Sequence, residues 1–194
     1  MKFRLLTLLG VSLLSCSAFI TSAGFAAEEI SIHYVYSGNP GVDLSKMSGT
    51  FKISAFSDDR GEENLQLITE TDLGMGNGGY QADQALTALI QDAFTQGFTS
   101  GGAQMVESDE AMSLSGKLLS TEAQIIEREG VEMIQLTLRV NVQLQKGGRN
   151  IWQTTLFGRG RTPTSDGMTA AVSAALDRMI SELVRDDYFL QEVL

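Results

Sequence analysis

Few side chains in this sequence could carry chemistry. His33 is the only histidine and Cys16 the only cysteine among 194 residues. A serine or cysteine nucleophile needs a histidine placed as its base, and His33 lies in a segment that reads as an extended arm near the start of the mature chain. A zinc site needs several histidine or cysteine ligands, more than the sequence supplies. The densest carboxylate cluster is Asp58, Asp59, Glu62 and Glu63, with Arg60 in its midst. Oxygen ligands in a tight loop suit calcium, but the spacing fits no EF-hand, and a solvated charged loop is the plainer reading. The same carboxylates would have to converge in a cleft, with at least one raised pKa, in a carboxylate-based hydrolase. Gly74-Met75-Gly76-Asn77-Gly78-Gly79 contains the G-x-G-x-x-G spacing that lets a backbone approach a pyrophosphate. No second parallel unit follows it, so a glycine-rich loop accounts for it better. No residue is therefore assigned a catalytic, cofactor-binding or metal-ligating role.

One basic spot stands out. In Phe157-Gly158-Arg159-Gly160-Arg161 the glycines let two guanidinium groups approach a partner closely, with Arg149 across the hairpin. Salt bridges at a strand end are the simpler reading. The alternatives are that these guanidinium groups meet a carboxylate or lipid phosphate, and that Arg159 and Arg161 extend the polar face carrying Arg139 into a docking surface for another envelope component.

The elements that must position these groups begin with a leader. Lys2 and Arg4 precede an apolar run from Leu5 to Leu14, and small residues follow up to Ala27. That order is the secretory pattern, and residues 1–26 are assigned to a signal peptide. A membrane span needs about 20 apolar residues, and this run is shorter and interrupted by glycine. Two cleavage routes are open. Gly24-Phe25-Ala26 suits ordinary signal peptidase, which would release a soluble periplasmic chain. Leu13-Leu14-Ser15-Cys16 looks like a lipobox, in which Cys16 would be acylated and become the new N-terminus. The remainder divides into an arm and linker over residues 27–48 and one domain over residues 49–194.

The domain holds no cysteine, so its own core must stabilise it. Without Lys2 and Arg4, 12 basic residues stand against 24 acidic ones, a net charge of −12. Such a surface repels nucleic acid and anionic lipid alike. Membrane attachment would then come from the acyl chain.

Periodicity supplies the rest. Residues 30–36 alternate as a strand or extended arm. Residues 49–56 alternate as a half-buried strand with Phe51, Ile53 and Ala55 inward, and residues 65–69 suggest a short strand. Leu86, Leu89, Ile90, Ala93 and Phe94 mark one face of a helix, with Asp83 as its expected cap and Gly97 as its expected left-handed terminus. Ile134, Leu136, Leu138, Val140, Val142 and Leu144 alternate with Gln135, Thr137, Arg139, Asn141 and Gln143, as in an antiparallel sheet covered on one side. Lys146-Gly147-Gly148-Arg149 closes a hairpin. A phase change predicts a bulge near Leu118-Leu119. A last helix begins near residues 164–166, and the apolar tail after Asp187 should dock. The expected architecture is α+β: an antiparallel sheet of about four to six strands with two amphipathic helices packed on one face.

This order resembles the YajG-like family of bacterial envelope lipoproteins. The likeness rests on the Leu13-Leu14-Ser15-Cys16 leader, Phe56-Ser57-Asp58-Asp59-Arg60, the helix over residues 86–94, and the strand over residues 114–126. The hairpin over residues 131–157 and Ala171-Val172-Ser173-Ala174-Ala175-Leu176 complete it. The glycine-rich loop over residues 73–79 and the apolar stretch after Cys16 depart from the family pattern. The resemblance implies an outer-membrane lipoprotein facing the periplasm, with no catalytic residues to carry over, and Ser17 after Cys16 fits outer-membrane retention. The expectation is a non-catalytic binding or structural module, with another envelope protein as its partner. The alternatives are a periplasmic hydrolase and a small-ligand carrier, which would need an apolar pocket between helices and sheet.

Overall fold

The strictly alternating segment centred on Leu138 becomes the middle of the molecule. In the computed structural model, which describes residues 26–194 except 39, 75, 77, 109 and 110, it is strand β6 (Val131–Lys146) of a four-stranded sheet. Residues 1–25, which hold Cys16 and nearly all of the leader, lie outside the described residues. β6 pairs antiparallel with β5 (Met112–Arg128) and β7 (Arg149–Pro163), and β2 (Phe51–Asp58) completes the order β2-β5-β6-β7. Ile134, Leu136, Leu138, Val140, Val142 and Leu144 are all buried, while Arg139 is exposed on the other face. The inward face therefore stands as its pattern predicts.

Two bulges adjust this sheet. One falls between Leu118 and Ser120, so Leu119 is the extra residue and the phase of β5 reverses beyond it, as expected. The other shifts β2 between Ile53 and Phe56, turning Ala55 outward and Phe56 inward, against the simple alternation expected there. Phe56 then stacks on Phe94 with ring centroids 5.6 Å apart. A larger ring displaces alanine from the core side. β2 also runs parallel to β5 rather than antiparallel, because a helix over Leu86–Ser100 lies between them in the chain and returns it to the same end. A second sheet, smaller than the first, has the order β1-β4-β3, from Glu28–Ile30, Tyr80–Ala82 and Leu67–Thr69. β4 carries too few residues to show a period, and the sequence gives no sign of it.

Helices α1 (Leu86–Ser100) and α2 (Gly167–Leu183) cover the apolar face, and α3 (Asp187–Val193) is the docked tail. Phe189 and Val193 of α3 are fully buried, and Phe189 meets Trp152 at 5.1 Å. Asp186 caps α3 by accepting from the Phe189 N–H at 2.9 Å. Asp83 does not cap α1. Its carboxylate accepts from Ser31 Oγ and the Ile32 N–H instead. Gly97 does not end α1 either. It lies buried inside the helix, where an added Cβ would strike Ile180 of α2, so it sets how closely the two helices approach. The left-handed residue falls at Gly102, φ +89°.

Residues 31–38 form an arm that bridges both helices. Gln96 of α1 accepts from the Tyr36 N–H and donates to the Tyr34 carbonyl, at 2.9 and 3.1 Å. Asp177 of α2 accepts from the Tyr34 hydroxyl at 2.6 Å and from Ser37 Oγ at 2.8 Å. Ile32 and Tyr34 are buried beneath it. Burial first, and then the Asp177 carboxylate, push the Tyr34 hydroxyl far above its usual pKa.

Leu138→Asp should unfold the protein, since it places an unpaired charge in the packed centre of β6. Arg139→Ala, one residue along, should stay within about 0.5 kcal/mol. Thermal unfolding of both variants tests the assignment of faces, and a reversal of the two effects would contradict it.

Candidate functional site

The carboxylates over residues 58–63 do not converge. Asp58 closes β2 and turns inward onto Arg60, and the two side chains are only 4% and 3% exposed. Arg60 donates from Nε to Asp58 Oδ1 at 2.9 Å and from Nη2 to Oδ2 at 2.6 Å, a forked pairing. Its remaining donors reach the carbonyls of Leu67 and Leu65 and the Thr121 hydroxyl, so the guanidinium ties β2, β3 and β5 together. Burial alone would raise the Asp58 carboxyl, but hydrogen bonds and charge from Arg60 hold it below the usual carboxylate range. Asp59 pairs at the surface with Lys117 at 2.9 Å, and the hydrogen bonds from Lys117 and Ser57 lower its pKa as well. Glu62 and Glu63 are exposed. A general acid needs a raised carboxyl, and the two aspartates shift the other way. The expected solvated loop is thus half correct: its first carboxylate and its arginine are buried.

His33 is exposed on the arm beside a serine and an aspartate, yet in an order unlike a nucleophile system. Ser31 Oγ donates to Asp83 Oδ2 at 2.6 Å and lies 3.3 Å from His33 Nδ1. In a catalytic triad the histidine bridges serine and acid. Here the serine is the bridge, and its hydrogen bond lowers the Asp83 pKa, making that carboxylate a weaker base. The glycine-rich segment does not open a helix; β4 stands between Gly79 and α1. Gly79, at φ +105°, passes against the backbone of Thr69 and Glu70, where no side chain would fit. That contact explains one glycine of the motif without a ligand. Among the described residues no group of three or more histidine, cysteine, aspartate or glutamate side chains is placed to hold a metal.

The arginines give the clearest surface feature. β7 is the last strand of its sheet, and Arg159 and Arg161 project from it on the outer face. Gln135 accepts from Arg161 Nε at 2.7 Å, and Arg139 lies over the Phe157 ring, 5.9 Å from its centroid. Phe157, Arg159 and Arg161 form one wall of a groove of about 710 Å³, and Ala174, Arg178 and Glu182 of α2 form the other. Arg178 pairs with Glu182 at 2.9 Å, and Glu182 also accepts weakly from the Phe157 N–H at 3.4 Å. The sequence pointed to Arg139, Arg159 and Arg161, and the structure places all three on one sheet face, Arg159 and Arg161 on the edge strand β7 and Arg139 beside them on β6. Arg149 sits at the hairpin turn, ten residues from Arg159 on the same strand and so roughly 33 Å away. The helical wall was missed. Its only signal is the i, i+4, i+8 spacing of Ala174, Arg178 and Glu182 opposite the apolar stripe.

No protein-family model and no curated protein sequence matches the chain. Solved structures share its fold. A Xanthomonas campestris protein of family DUF330 is 19% identical, with 81% of this chain and 90% of that one covered at a TM-score of 0.53. An uncharacterized protein is 7% identical, with 84% and 99% covered at 0.50. A minor lipoprotein from Acinetobacter baumannii is 12% identical, with 74% and 94% covered at 0.45.

Removing one partner from a buried ion pair strands the other, so Arg60→Met should cost about 3–5 kcal/mol at neutral pH. The pH dependence should also reverse. In the native protein the depressed Asp58 pKa adds stability above about pH 4, which is lost as acid protonates the folded state. In Arg60→Met the lone buried carboxyl has a raised pKa, and stability falls as pH rises through that value. Urea unfolding between pH 3 and 7 measures both effects. A variant that keeps the native profile would mean that Asp58 is not held by Arg60.

Proposed function

We propose that this chain is an exported cell-envelope protein, anchored to the outer membrane by acylated Cys16, that acts as a non-catalytic docking module. The observation that carries this reading is the β7 edge. There Arg159 and Arg161 line a groove beside Arg178, on a chain of net charge −12 once the leader is removed. Charged hydrogen-bonding groups on an accessible edge suit a wet, non-obligate interface. The partner on this reading is another envelope component, and the surface comprises Arg139, Arg159, Arg161 and the polar face of β6. The secretory leader and the YajG-like order of elements support the location. No described helix is long and apolar enough to cross a membrane.

Two observations weigh against the alternatives. The hydrolase reading needs a raised carboxyl in a cleft, whereas Asp58 is lowered by Arg60. The carrier reading needs space between helices and sheet. That layer is filled by Phe51 stacked on Phe98 at 4.8 Å, and by Phe189 edge-on to Phe98 at 6.0 Å.

Intact mass and membrane fractionation test the anchor. An acylated Cys16 should pellet with membranes, because more than one acyl chain, at ~0.8 kcal/mol per buried methylene, gives stable attachment; Cys16→Ser should not. A mature N-terminus at Ala27 with all protein in the soluble fraction would overturn the anchor. Replacing Arg139, Arg159 and Arg161 together by glutamate should abolish crosslinks to the partner while leaving the melting temperature nearly unchanged. Crosslinks that persist would move the interface elsewhere, first to the tail around Tyr188, which is 74% exposed.

A further inference from the structure

The rows of side chains on the outer sheet face run level across three strands. Glu122 of β5, Thr137 of β6 and Arg159 of β7 share one row, and Gln124, Gln135 and Arg161 share a neighbouring one on the same face. Neither end of these rows continues into a further strand ladder, although Arg60 and β3 approach β5 at Thr121. β7 ends the sheet, and β2 pairs with β5 only as far as Leu118, leaving residues 119–128 with no paired strand on that side.

We propose that the partner at the β7 edge is a second copy of this chain, which adds residues 119–128 of its β5 so that Arg159 meets Glu122 of the next copy. This names the occupant of the docking edge and rests on that reading of Arg159 and Arg161.

Four features fit this occupant. β5 and β7 both run antiparallel to β6, so they point the same way, and a second copy shifted sideways presents β5 parallel to β7 at the same height. The Phe157 N–H turns away from β6 towards Glu182. The register from Leu156 to Pro163 is unbroken, so alternation turns the backbone N–H and C=O of Arg159 and Arg161 outward as well. The charges are complementary. The β7 edge carries Arg159 and Arg161, whereas the end of the β5–β6 hairpin exposes Glu122, Glu127, Glu129 and Glu132 against Arg128 alone. Finally, Phe157 is 45% exposed at the β7 edge. The contact uses two different surfaces, so it is head-to-tail and builds a closed ring or an open filament.

Sedimentation equilibrium of the full mature protein, purified from the envelope in density-matched detergent, reads the assembly. The native protein should sediment at a multiple of the protomer mass. Arg159→Glu and Glu122→Arg should each reduce it to one protomer, and the two combined should restore the multimer, because the charges are exchanged rather than lost. Circular dichroism checks folding; if a reversal variant unfolds, Arg159→Gln and Glu122→Gln should still weaken association. A native protein that stays a single protomer overturns the proposal, and so does a charge exchange that fails to rescue. Failure here is separable from failure of the docking reading. A single protomer whose partner crosslinks vanish in the triple-arginine variant keeps the docking edge and loses only self-assembly. A single protomer whose crosslinks persist loses both.

Discussion

Helix α2 lies directly on the backbone of β7, and the rest of the molecule is arranged around that contact. A Cβ at Gly158 or Gly160 would run into the carbonyl oxygens of Ala175 and Ala171, so only glycine permits the approach. With α2 so low over the last strand, its apolar stripe from Met168 to Leu183 closes the sheet face from the side of β7. α1 must then come in from the side of β2. Gly97 lets the two helices meet against Ile180. The same contact leaves the outward edge of β7 uncovered, with one flank of α2 standing beside it as the wall of a groove. A side chain at either glycine would lift the helix off the strand and move that wall of the groove with it. The glycines that look like freedom for the arginines in the sequence are thus spent on packing at the opposite face.

What could be read in advance follows the strength of periodic signals. The alternation in β6 extends over enough residues that a one-residue error would reverse every side chain, and the phase change at Leu119 was visible for the same reason. The stripe of α2 and the apolar tail were equally plain. Short elements escaped: β4 has three residues, and its pairing with β1 and β3 is set by tertiary contacts that no local pattern records. The parallel placement of β2 was also hidden, since alternation says which face is buried and nothing about strand direction. Asp83 and Gly97 carried the expected capping signals, but each was taken by a stronger demand. The arm claimed the carboxylate of Asp83, and helix packing claimed the missing side chain of Gly97.

The site shows the same division. Arg139, Arg159 and Arg161 were legible because they interrupt an acidic surface. Asp58 and Arg60 were misread because charged residues two apart in a turn-rich segment look solvated. Their burial depends on carbonyls of Leu65 and Leu67, contributed by a strand whose position the sequence does not give. The forked pair therefore belongs to stability. It satisfies the ends of two sheets at a place where an apolar side chain would leave those carbonyls without donors.

The arm over residues 31–38 also determines how the molecule would bear a load arriving from its N-terminal side. Tension would first reach β1, a three-residue strand lying parallel to β4, and then the clasp of Tyr34 and Ser37 on Asp177 and of Tyr36 on Gln96. The two hold in series, and neither belongs to the main sheet. The arm could come away from the helices as a unit, lengthening the extended N-terminal segment by several residues, while β5, β6 and β7 keep their register. The buried side chains of Ile32 and Tyr34, the partly buried Tyr36 and the helix surface beneath them would then enter water. Under such a load the arm would yield before the sheet that carries the arginine edge.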